Sequence, residues 1–398
     1  MNIVLFTHPQ FLNSRSMKKY AGFLSDGMRS RNHKVEICAP EAFFYRIPLN
    51  RVIKKWLGYI DSYVIFPIRM RFKLNNYPAN SLFVFSDQAL GMWVSLIANK
   101  PHVIHCHDFL ALKSALDKNP EYKVSWTGKI YQRMIRNGFS KAKNFISISH
   151  NTRRDLHNYL LNAPASSNVV YNQLSTGFTP ENKSMARQKL EVYLGNTATT
   201  NLNEGYILHV GANVWYKNKR GVLEIYNAWR QKYDTCTPLV MVGELDADLT
   251  QWINDKFWKD DLYFLEDIAE SLLVSIYSGA SVFLFPSLAE GFGWPIAEAM
   301  ACKCPVITTG EAPMTEVGGQ AAFYIPKRPV NIFEAASWAQ YCAGMLQDVL
   351  QKDNEKLEKV LNAGLAQVEK FHSSIFLDQT EEIYRRILEK RESYQLIY

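Results

Sequence analysis

Short apolar runs alternate with amphipathic segments of helical periodicity along nearly the whole chain. In the first part we predict buried parallel strands, which are apolar on both faces, at 2–7, 34–39, 81–85, 103–106 and 144–149. A helical pattern at 17–31 separates the first two runs. The order strand, helix, strand predicts a Rossmann-like α/β domain.

The second part of the chain repeats this pattern after a turn-rich linker at 176–184. Here we predict strands at 206–210, 239–242, 262–265, 282–285 and 305–308. Helical periodicity closes the chain at 331–350, 355–371 and 373–390. We therefore expect one α/β domain at 1–178, a second at 185–370 and a terminal helical segment at 373–398.

The stretch 282–307, VFLFPSLAEGFGWPIAEAMACKCPVI, contains two carboxylates beside a glycine loop. Glu290 lies in the loop, and Glu298 lies in a helix predicted to begin near Pro295. A helix N-terminus binds anions such as phosphate, and carboxylates accept hydrogen bonds from hydroxyls. The pattern predicts a sugar joined to a nucleotide diphosphate as the ligand. The alternative is that both acids only stabilise the helix start.

The residues F-P-S-x-x-E-G-F-G-x-P-x-x-E-A-M-A-x-x-x-P-V-I, from Phe285 to Ile307, resemble the E-x7-E signature of retaining glycosyltransferases of family 4. This resemblance implies the GT-B fold, two Rossmann-like domains with parallel sheets facing across a cleft and a last helix that returns to the first domain. It implies a metal-independent hexosyltransferase with no cofactor and a nucleotide-diphosphate sugar as co-substrate. The expected acceptor is a glycan or a lipid-linked carbohydrate, in cell-envelope or exopolysaccharide synthesis.

The resemblance also assigns residues to the donor, mostly in the loops of the second domain. In the family, an arginine and a lysine after the first strand of this domain bind the diphosphate. Lys217 matches the lysine, but the arginine position falls at Ala212 or Asn213, so Lys219, Arg220 or backbone N–H groups take that role. We predict that these basic residues lie in a loop before a helix at 222–229. Glu298 is expected on the ribose, and Glu290 on sugar hydroxyls. The expected donor-binding residues are Gly211, Asn213, Lys217, Arg220, Gly291, Phe292, Gly293 and Glu298.

We expect no metal site. Asp246-Ala247-Asp248 has a metal-binding spacing but lies away from the signature loop.

Polar residues follow the predicted strands of the first domain, where open parallel sheets bind ligands. His107 comes directly after 103–106 and is either a ligand-facing group or a structural histidine. The resemblance makes it, with Glu290, an expected catalytic residue that faces the transferred sugar, and it favours His107 over His105. The expected acceptor-binding residues are Asp87, Ser14 and Ser16. The alternative for the serines, which helix-start chemistry favours, is that one of them caps the first helix.

The segment 51–73, RVIKKWLGYIDSYVIFPIRMRFK, mixes large apolar with basic residues. Such a segment can lie on an anionic membrane surface. The alternative is a helix whose apolar face packs on its own domain, and Asp61 and Pro67, which interrupt the pattern, favour this alternative. A second basic stripe, Lys129, Arg133 and Arg136, either steers a phosphorylated acceptor or is only a solvated face.

Composition narrows the function classes. The 398 residues suffice for two domains, and a net charge of +7 suits phosphate-bearing ligands but not a nucleic-acid partner. Irregularly spaced cysteines, six in all, predict reduced, buried thiols. We see neither a signal peptide nor a membrane span, so we expect a cytoplasmic protein, with or without peripheral contact at the inner face of the membrane. Two other functions stay open: a nucleotide-sugar 2-epimerase of GT-B fold, and a non-catalytic nucleotide-sugar-binding subunit.

Overall fold

The computed structural model describes residues 1–11, 15–116, 124–195, 201–233 and 235–395. The chain forms two compact units: Met1–Asn172 with Ser374–Tyr398, and Gln173–Ser373. Each unit contains its own six-stranded sheet. Every strand pair in both sheets is parallel. The predicted α/β class with parallel sheets is therefore confirmed.

The first unit has the strand order β2-β1-β3-β4-β5-β6. Its strands are β1 (Asn2–Phe6), β2 (Lys34–Cys38), β3 (Leu82–Phe85), β4 (His102–Cys106), β5 (Asn144–Ser147) and β6 (Ser166–Val169). Its helices, before the chain enters the second unit, are α1 (Arg15–Ser30), α2 (Arg51–Ile60), α3 (Phe66–Lys73), α4 (Leu110–Ala115), α5 (Trp126–Phe139) and α6 (His150–Tyr159).

Alternate residues of these strands enter two separate cores, as the pleat of a sheet requires. Phe6 and Phe85 stack on each other at 4.7 Å and pack with Trp93 on one face. Ile3 and Leu5 belong to the core on the other face, against α1. The sheet is therefore buried on both sides, which explains its continuous apolar runs.

The second unit has the strand order β12-β11-β10-β7-β8-β9. Its strands are β7 (Ile207–Val210), β8 (Leu239–Val242), β9 (Leu262–Leu265), β10 (Val282–Phe285), β11 (Val306–Thr309) and β12 (Ala322–Ile325), of which β12 was not predicted. Its helices are α7 (Lys183–Leu194), α8 (Lys219–Lys232), α9 (Ala247–Asn254), α10 (Glu270–Gly279), α11 (Trp294–Ala301), α12 (Met314–Gly318), α13 (Ile332–Leu350) and α14 (Asn354–Val368).

The last helix, α15 (Ser373–Gln395), packs on the first unit. A buried chain of hydrogen bonds holds it there, because His105 lies between the hydroxyls of Tyr20 at 2.6 Å and Tyr384 at 2.7 Å. Burial lowers the pKa of His105 to about 3, so the ring is neutral and has a structural role in the core. Arg31 also binds Glu381 at 2.8 Å.

Two local predictions are corrected by the structure, and a third is tested for only one of its two residues. Helix α8 begins at Lys219, so Lys219 and Arg220 lie in its first turn and not in the preceding loop. Ser16 is an exposed residue inside α1 and does not cap it, while Ser14 lies outside the described residues. Cys236 is exposed, whereas the other cysteines are buried and all are free thiols.

The segment 51–73 is helical throughout, because a π-helical turn (Asp61–Ile65) joins α2 to α3. Asp61 and Pro67 therefore do not interrupt it. Within the described residues, no helix is both long and apolar enough to span a bilayer.

Candidate active site

The strand order of the second unit creates a crevice between β7 and β10. From β7 the chain adds β8 and β9 on one side, and β10, β11 and β12 on the other. The loops that follow β7 and β10 therefore diverge at the carboxyl end of the sheet, which is where open α/β sheets bind ligands. Helices α8 and α11 begin after these two loops, so their positive N-terminal ends lie at the same edge.

A buried ion pair joins the two loops at this point. Lys217 Nζ lies 2.8 Å from Glu290 Oε1, and the side chains are only 12% and 8% exposed. Ser287 Oγ donates a second hydrogen bond to the same carboxylate oxygen at 2.7 Å. The Lys217 ammonium also lies over the Phe285 ring, 4.9 Å from its centroid. A cation and a carboxylate are thus held side by side in a site largely shielded from water.

Backbone and side-chain hydrogen bonds fix the loops to each other. Asn218, in the left-handed conformation with φ 54°, accepts from Gly221 N and so caps α8. Its amide donates to Pro286 O at 2.8 Å. The hydroxyl of Ser287, which also contacts Glu290, lies 2.7 Å from Tyr216 O, so its single proton is shared between these two acceptors. Because each loop supplies the other's partners, Lys217 and Glu290 are held in place before any ligand binds.

Two glycines let the strand ends come close together. Gly243, just after β8, has φ +107°, and a Cβ there would lie 2.2 Å from Gly211 O. A Cβ on Gly211 would lie 3.2 Å from Lys217 Cγ and 3.3 Å from His209 Nε2. A larger residue at either position would push the Lys217 loop away from the sheet.

The structure separates the two candidates for the missing arginine. Lys219 is buried, and its Nζ donates to Glu244 O at the carboxyl end of β8. Burial lowers the pKa of Lys219 to about 8, against the raising effect of Glu266, Glu244 and Asp246. Arg220, in contrast, pairs with Glu224 at 3.1 Å and lies over the ring of Trp252, so it is not brought to Lys217. Asn213 is exposed in the loop.

His209, in β7, is a group that the sequence did not single out. It donates Nδ1–H to Leu284 O at 3.0 Å, and burial lowers its pKa to about 3. The neighbouring ammonium groups of Lys219 and Lys217 lower this pKa further. Its Nε2 is therefore a buried acceptor, and it has no partner among the described residues.

Glu298 lies in α11, which begins at Trp294, one residue earlier than predicted. The hydroxyl of Tyr277 donates to Glu298 Oε2 at 2.9 Å. Burial, and then the charge of Glu298, raise the pKa of Tyr277 well above its usual value, so this tyrosine remains a donor. Gly293, with φ +110°, lies at the N-cap position of this helix. The side chain of Phe292 is buried against Trp294 and Phe371.

The tandem Asp246-Ala247-Asp248 has a structural role. Asp246 Oδ1 accepts from Leu249 N at 2.8 Å and caps α9.

The first unit has an equivalent crevice between β1 and β3, where its own strand order reverses. Here His8, after β1, lies with Nε2 2.8 Å from Asp87 Oδ2, after β3. Burial alone would raise the pKa of Asp87, but the hydrogen bond to His8 brings it below the usual value. His8 was not predicted as a site residue. It directly follows the first predicted strand, just as His107 directly follows the fourth, so the same position in the pattern could have identified it.

His107 lies directly behind this pair. Its Nε2–H donates to Ser86 O at 2.8 Å, and its ring meets Tyr20 edge-on at 4.4 Å. Burial lowers the pKa of His107, opposed by Asp87, so the ring is neutral. Its Nδ1 is a buried acceptor without a partner in the described part of the chain.

A cavity of about 340 Å³ opens beside His8. Tyrosine and tryptophan rings and two lysines of α2 form much of its wall. The residues concerned are Tyr45, Tyr59, Tyr63, Trp93, Tyr131, Lys54 and Lys55. Lys54 Nζ lies over the Tyr45 ring, 4.7 Å from its centroid. The cavity can therefore bind a ligand with flat apolar faces and negative charge.

Comparison with known proteins agrees with this arrangement. Residues 17–176 match the model described as Glycosyltransferase Family 4, and residues 197–332 match that of Glycosyl transferases group 1. The chain is 26% identical over 276 residues to O-antigen chain mannosyltransferase B of Escherichia coli, covering 67% of this chain and 66% of that protein. It is 28% identical over 220 residues to O-antigen chain mannosyltransferase RfbU of Salmonella typhimurium, covering 54% and 55%.

The match thus spans just under two thirds of the first relative and about half of the second. Among solved structures, HepE of Anabaena in complex with UDP and glucose is similar with a TM-score of 0.67 at 16% identity, covering 96% of this chain and 99% of that chain. Such low identity supports the fold alone. The signature at 285–307, the two six-stranded parallel sheets and both family models agree: the chain has the GT-B fold and belongs to glycosyltransferase family 4.

Proposed function

We propose that this protein is a retaining, metal-independent glycosyltransferase in the synthesis of a cell-surface polysaccharide. It transfers a hexosyl group, and specifically mannosyl, from a nucleotide-diphosphate sugar to a glycan or lipid-linked acceptor. The observation that carries the proposal is the buried Lys217–Glu290 pair at the strand-order reversal, between two helix N-termini. The two relatives named as mannosyltransferases support the choice of sugar.

The two members of the pair have different tasks. As the bond from the sugar C1 to the diphosphate breaks, negative charge grows on the leaving oxygen. Lys217 keeps one N–H on Glu290 and directs its remaining N–H groups to the diphosphate, and Lys219 adds a second positive charge. Fixed cations and helix ends stabilise such charge without reorganisation, which is how a site can dispense with a metal ion.

Glu290 accepts hydrogen bonds from hydroxyls of the transferred sugar, next to the backbone of Gly291 and Gly293. Glu298, oriented by Tyr277, accepts from the ribose hydroxyls. The new bond forms on the face of the sugar from which the diphosphate leaves, and the acceptor hydroxyl passes its proton to that diphosphate. The configuration at C1 is therefore retained.

We propose that the acceptor is bound by the first unit, in the aromatic cavity beside His8. The rings of Tyr59, Tyr63 and Tyr131 offer stacking surfaces for sugars, and Lys54 and Lys55 attract a phosphate of a lipid carrier. His107 faces the transferred sugar and offers its unpartnered Nδ1 as a hydrogen-bond acceptor. We also propose a cytoplasmic location, where nucleotide sugars are available.

The test is nucleotide release from a panel of UDP-, GDP- and ADP-sugars, with and without glycan and lipid-linked acceptors. The transferase requires release that depends on an acceptor, and retention at C1 is read by NMR of the product. Isomerisation of the donor without acceptor would identify an epimerase. Donor binding without turnover under every condition would identify a non-catalytic subunit. In the transferase, Glu290→Ala abolishes transfer while the circular dichroism spectrum stays unchanged.

A further inference from the structure

Helix α2, the π turn and α3 form one continuous helix, with one face buried and the opposite face exposed to solvent. Every fourth residue from Gly58 is buried on the first unit: Gly58, Ser62, Phe66, Met70 and Leu74. A row of large apolar side chains points to solvent from the opposite face, because its positions are offset by two residues from the buried ones. This outer stripe consists of Val52, Trp56, Ile60, Val64, Ile68 and Phe72, with exposed fractions from 39% at Ile60 to 76% at Phe72.

The π turn reduces the drift of the outer stripe around the helix. In an ideal α-helix a repeat of four residues drifts by about 40° per step, because four residues turn through about 400°. A π turn accommodates an extra residue in one turn and reverses part of this drift. Asp61 fixes the turn by accepting from the backbone N–H groups of Phe43, Phe44 and Tyr45 at 2.9–3.0 Å. Trp93 Nε1 donates to Ser62 O at 3.0 Å.

The exposed charged side chains of this helix are all basic, and two of them pair with glutamates of neighbouring segments. Lys55 and Arg71 each precede a stripe residue, and Arg69 and Lys73 each follow one, so exposed basic side chains flank the stripe on both sides. Asp61, the sole acidic residue between Arg51 and Lys73 in the sequence, is buried. Glu41 pairs with Arg69 and Glu36 with Lys73, at the edges of the surface.

Helix α5 extends the same surface. Tyr131 of α5 stacks on Tyr59 at 5.6 Å, and its hydroxyl lies 2.6 Å from that of Tyr63, so α5 runs beside the helix. Trp126, Ile130 and Met134, again spaced by four, are exposed. The intervening Lys129 and Arg133 carry the basic stripe noted in the sequence.

We propose that this surface docks on an anionic lipid bilayer. The outer stripe runs about 30 Å along the helix, and an interfacial helix buries an apolar face of this kind among the acyl chains while its flanking lysines and arginines bind lipid headgroups. A second copy of the chain is disfavoured as the occupant, because two such surfaces would bring like charges together. Lys54 and Gly58, on the same helix, line the aromatic cavity, so that cavity lies within about one helix diameter of the docked stripe.

The experiment measures sedimentation of the purified full-length protein with vesicles, in the absence of any donor. The vesicles contain phosphatidylcholine alone or with about 30% phosphatidylglycerol. The test variant is Val64→Ser with Phe72→Ser. Its matched control is Val192→Ser with Phe333→Ser, because these residues are 76% and 83% exposed in the second unit. Arg71→Glu tests the charge separately.

The wild-type protein is expected to bind anionic vesicles at least about tenfold more tightly than neutral ones, and more weakly as salt rises. The stripe variant should lose about tenfold or more of this affinity, and the control should change by less than about twofold. Arg71→Glu should weaken binding to anionic vesicles alone. Equal binding by stripe variant and control, or no binding by the wild type, overturns the proposal. A dimer on size exclusion that the stripe variant abolishes, without vesicle binding, assigns the surface to a second copy instead.

Discussion

The buried pair in the second unit makes a prediction that separates stability from activity. The perturbation is a double-mutant cycle with Lys217→Met, Glu290→Gln and both together. At 2.8 Å and an effective dielectric constant of about 20, the attraction between the two charges is about 6 kcal/mol. Desolvation offsets most of this, but removing one partner leaves the other charge buried alone.

Each single variant should therefore lose about 3 kcal/mol of unfolding free energy, the lower end of the range for buried pairs. For a unit of about 200 residues this lowers Tm by about 6–12 °C. The double variant, with two neutral side chains of similar size, should recover at least about half of the loss. The control is Lys359→Met in α14, whose partner Glu355 lies at 2.7 Å but whose pair is 71% and 79% exposed. That change should cost less than about 1 kcal/mol.

Activity should not follow stability around the cycle. In the proposed mechanism Lys217 acts on the leaving diphosphate and Glu290 on sugar hydroxyls, so the double variant should regain Tm but not kcat. Thermal unfolding and acceptor-dependent nucleotide release, measured on the same preparations, give both quantities. The buried pair would be refuted if each single variant lost no more unfolding free energy than Lys359→Met and if the two losses added in the double variant. Near-normal kcat in Glu290→Gln would refute the role of that carboxylate.

Three further changes test the rest of the proposed donor site. Glu298→Gln should raise the KM for the donor by about tenfold or more with little change in kcat, and the difference from wild type should vanish with a 2′,3′-dideoxyribose donor analogue in a binding assay. Gly243→Ala should lower Tm and weaken donor binding, because φ is +107° and the new Cβ would lie 2.2 Å from Gly211 O; an unchanged Tm would contradict this close approach. The pKa of Lys219, about 8, predicts that donor affinity measured by calorimetry falls as pH rises from 7 to 9 and the ammonium loses its proton. The donor affinity should fall by at most about tenfold per pH unit, and Lys219→Met should remove this pH dependence. A pH dependence that persists in this variant would show that a group other than Lys219 titrates.

Local pattern was sufficient for most of the strands and for the resemblance to the family. The strand at Val282–Phe285, its glycine loop and the helix with Glu298 follow from apolar runs and helix-start chemistry within a short stretch of chain. Because parallel strands buried on both faces are apolar throughout, the sequence also predicted the α/β class. Helix starts were less accurate, as at Lys219, because the Asn218 cap depends on a left-handed backbone and on Pro286 O in another loop.

The strand order, and with it both crevices, was decided by tertiary structure. Lys217 and Glu290 are 73 residues apart and His8 and Asp87 are 79, and no periodicity relates such distant positions. Their meeting depends on which strands pair, and this is set by packing across the whole sheet.

In the segment 51–73, too, the sequence indicated the composition but the tertiary structure decided which face is buried. Its composition, basic and apolar with one acid, was legible in the sequence. Its two rows of residues share one period of four, so the pattern alone could not tell which row faces the core. Burial of Phe66 and Met70 and the contacts of Asp61 made that choice, and they left the outer stripe exposed.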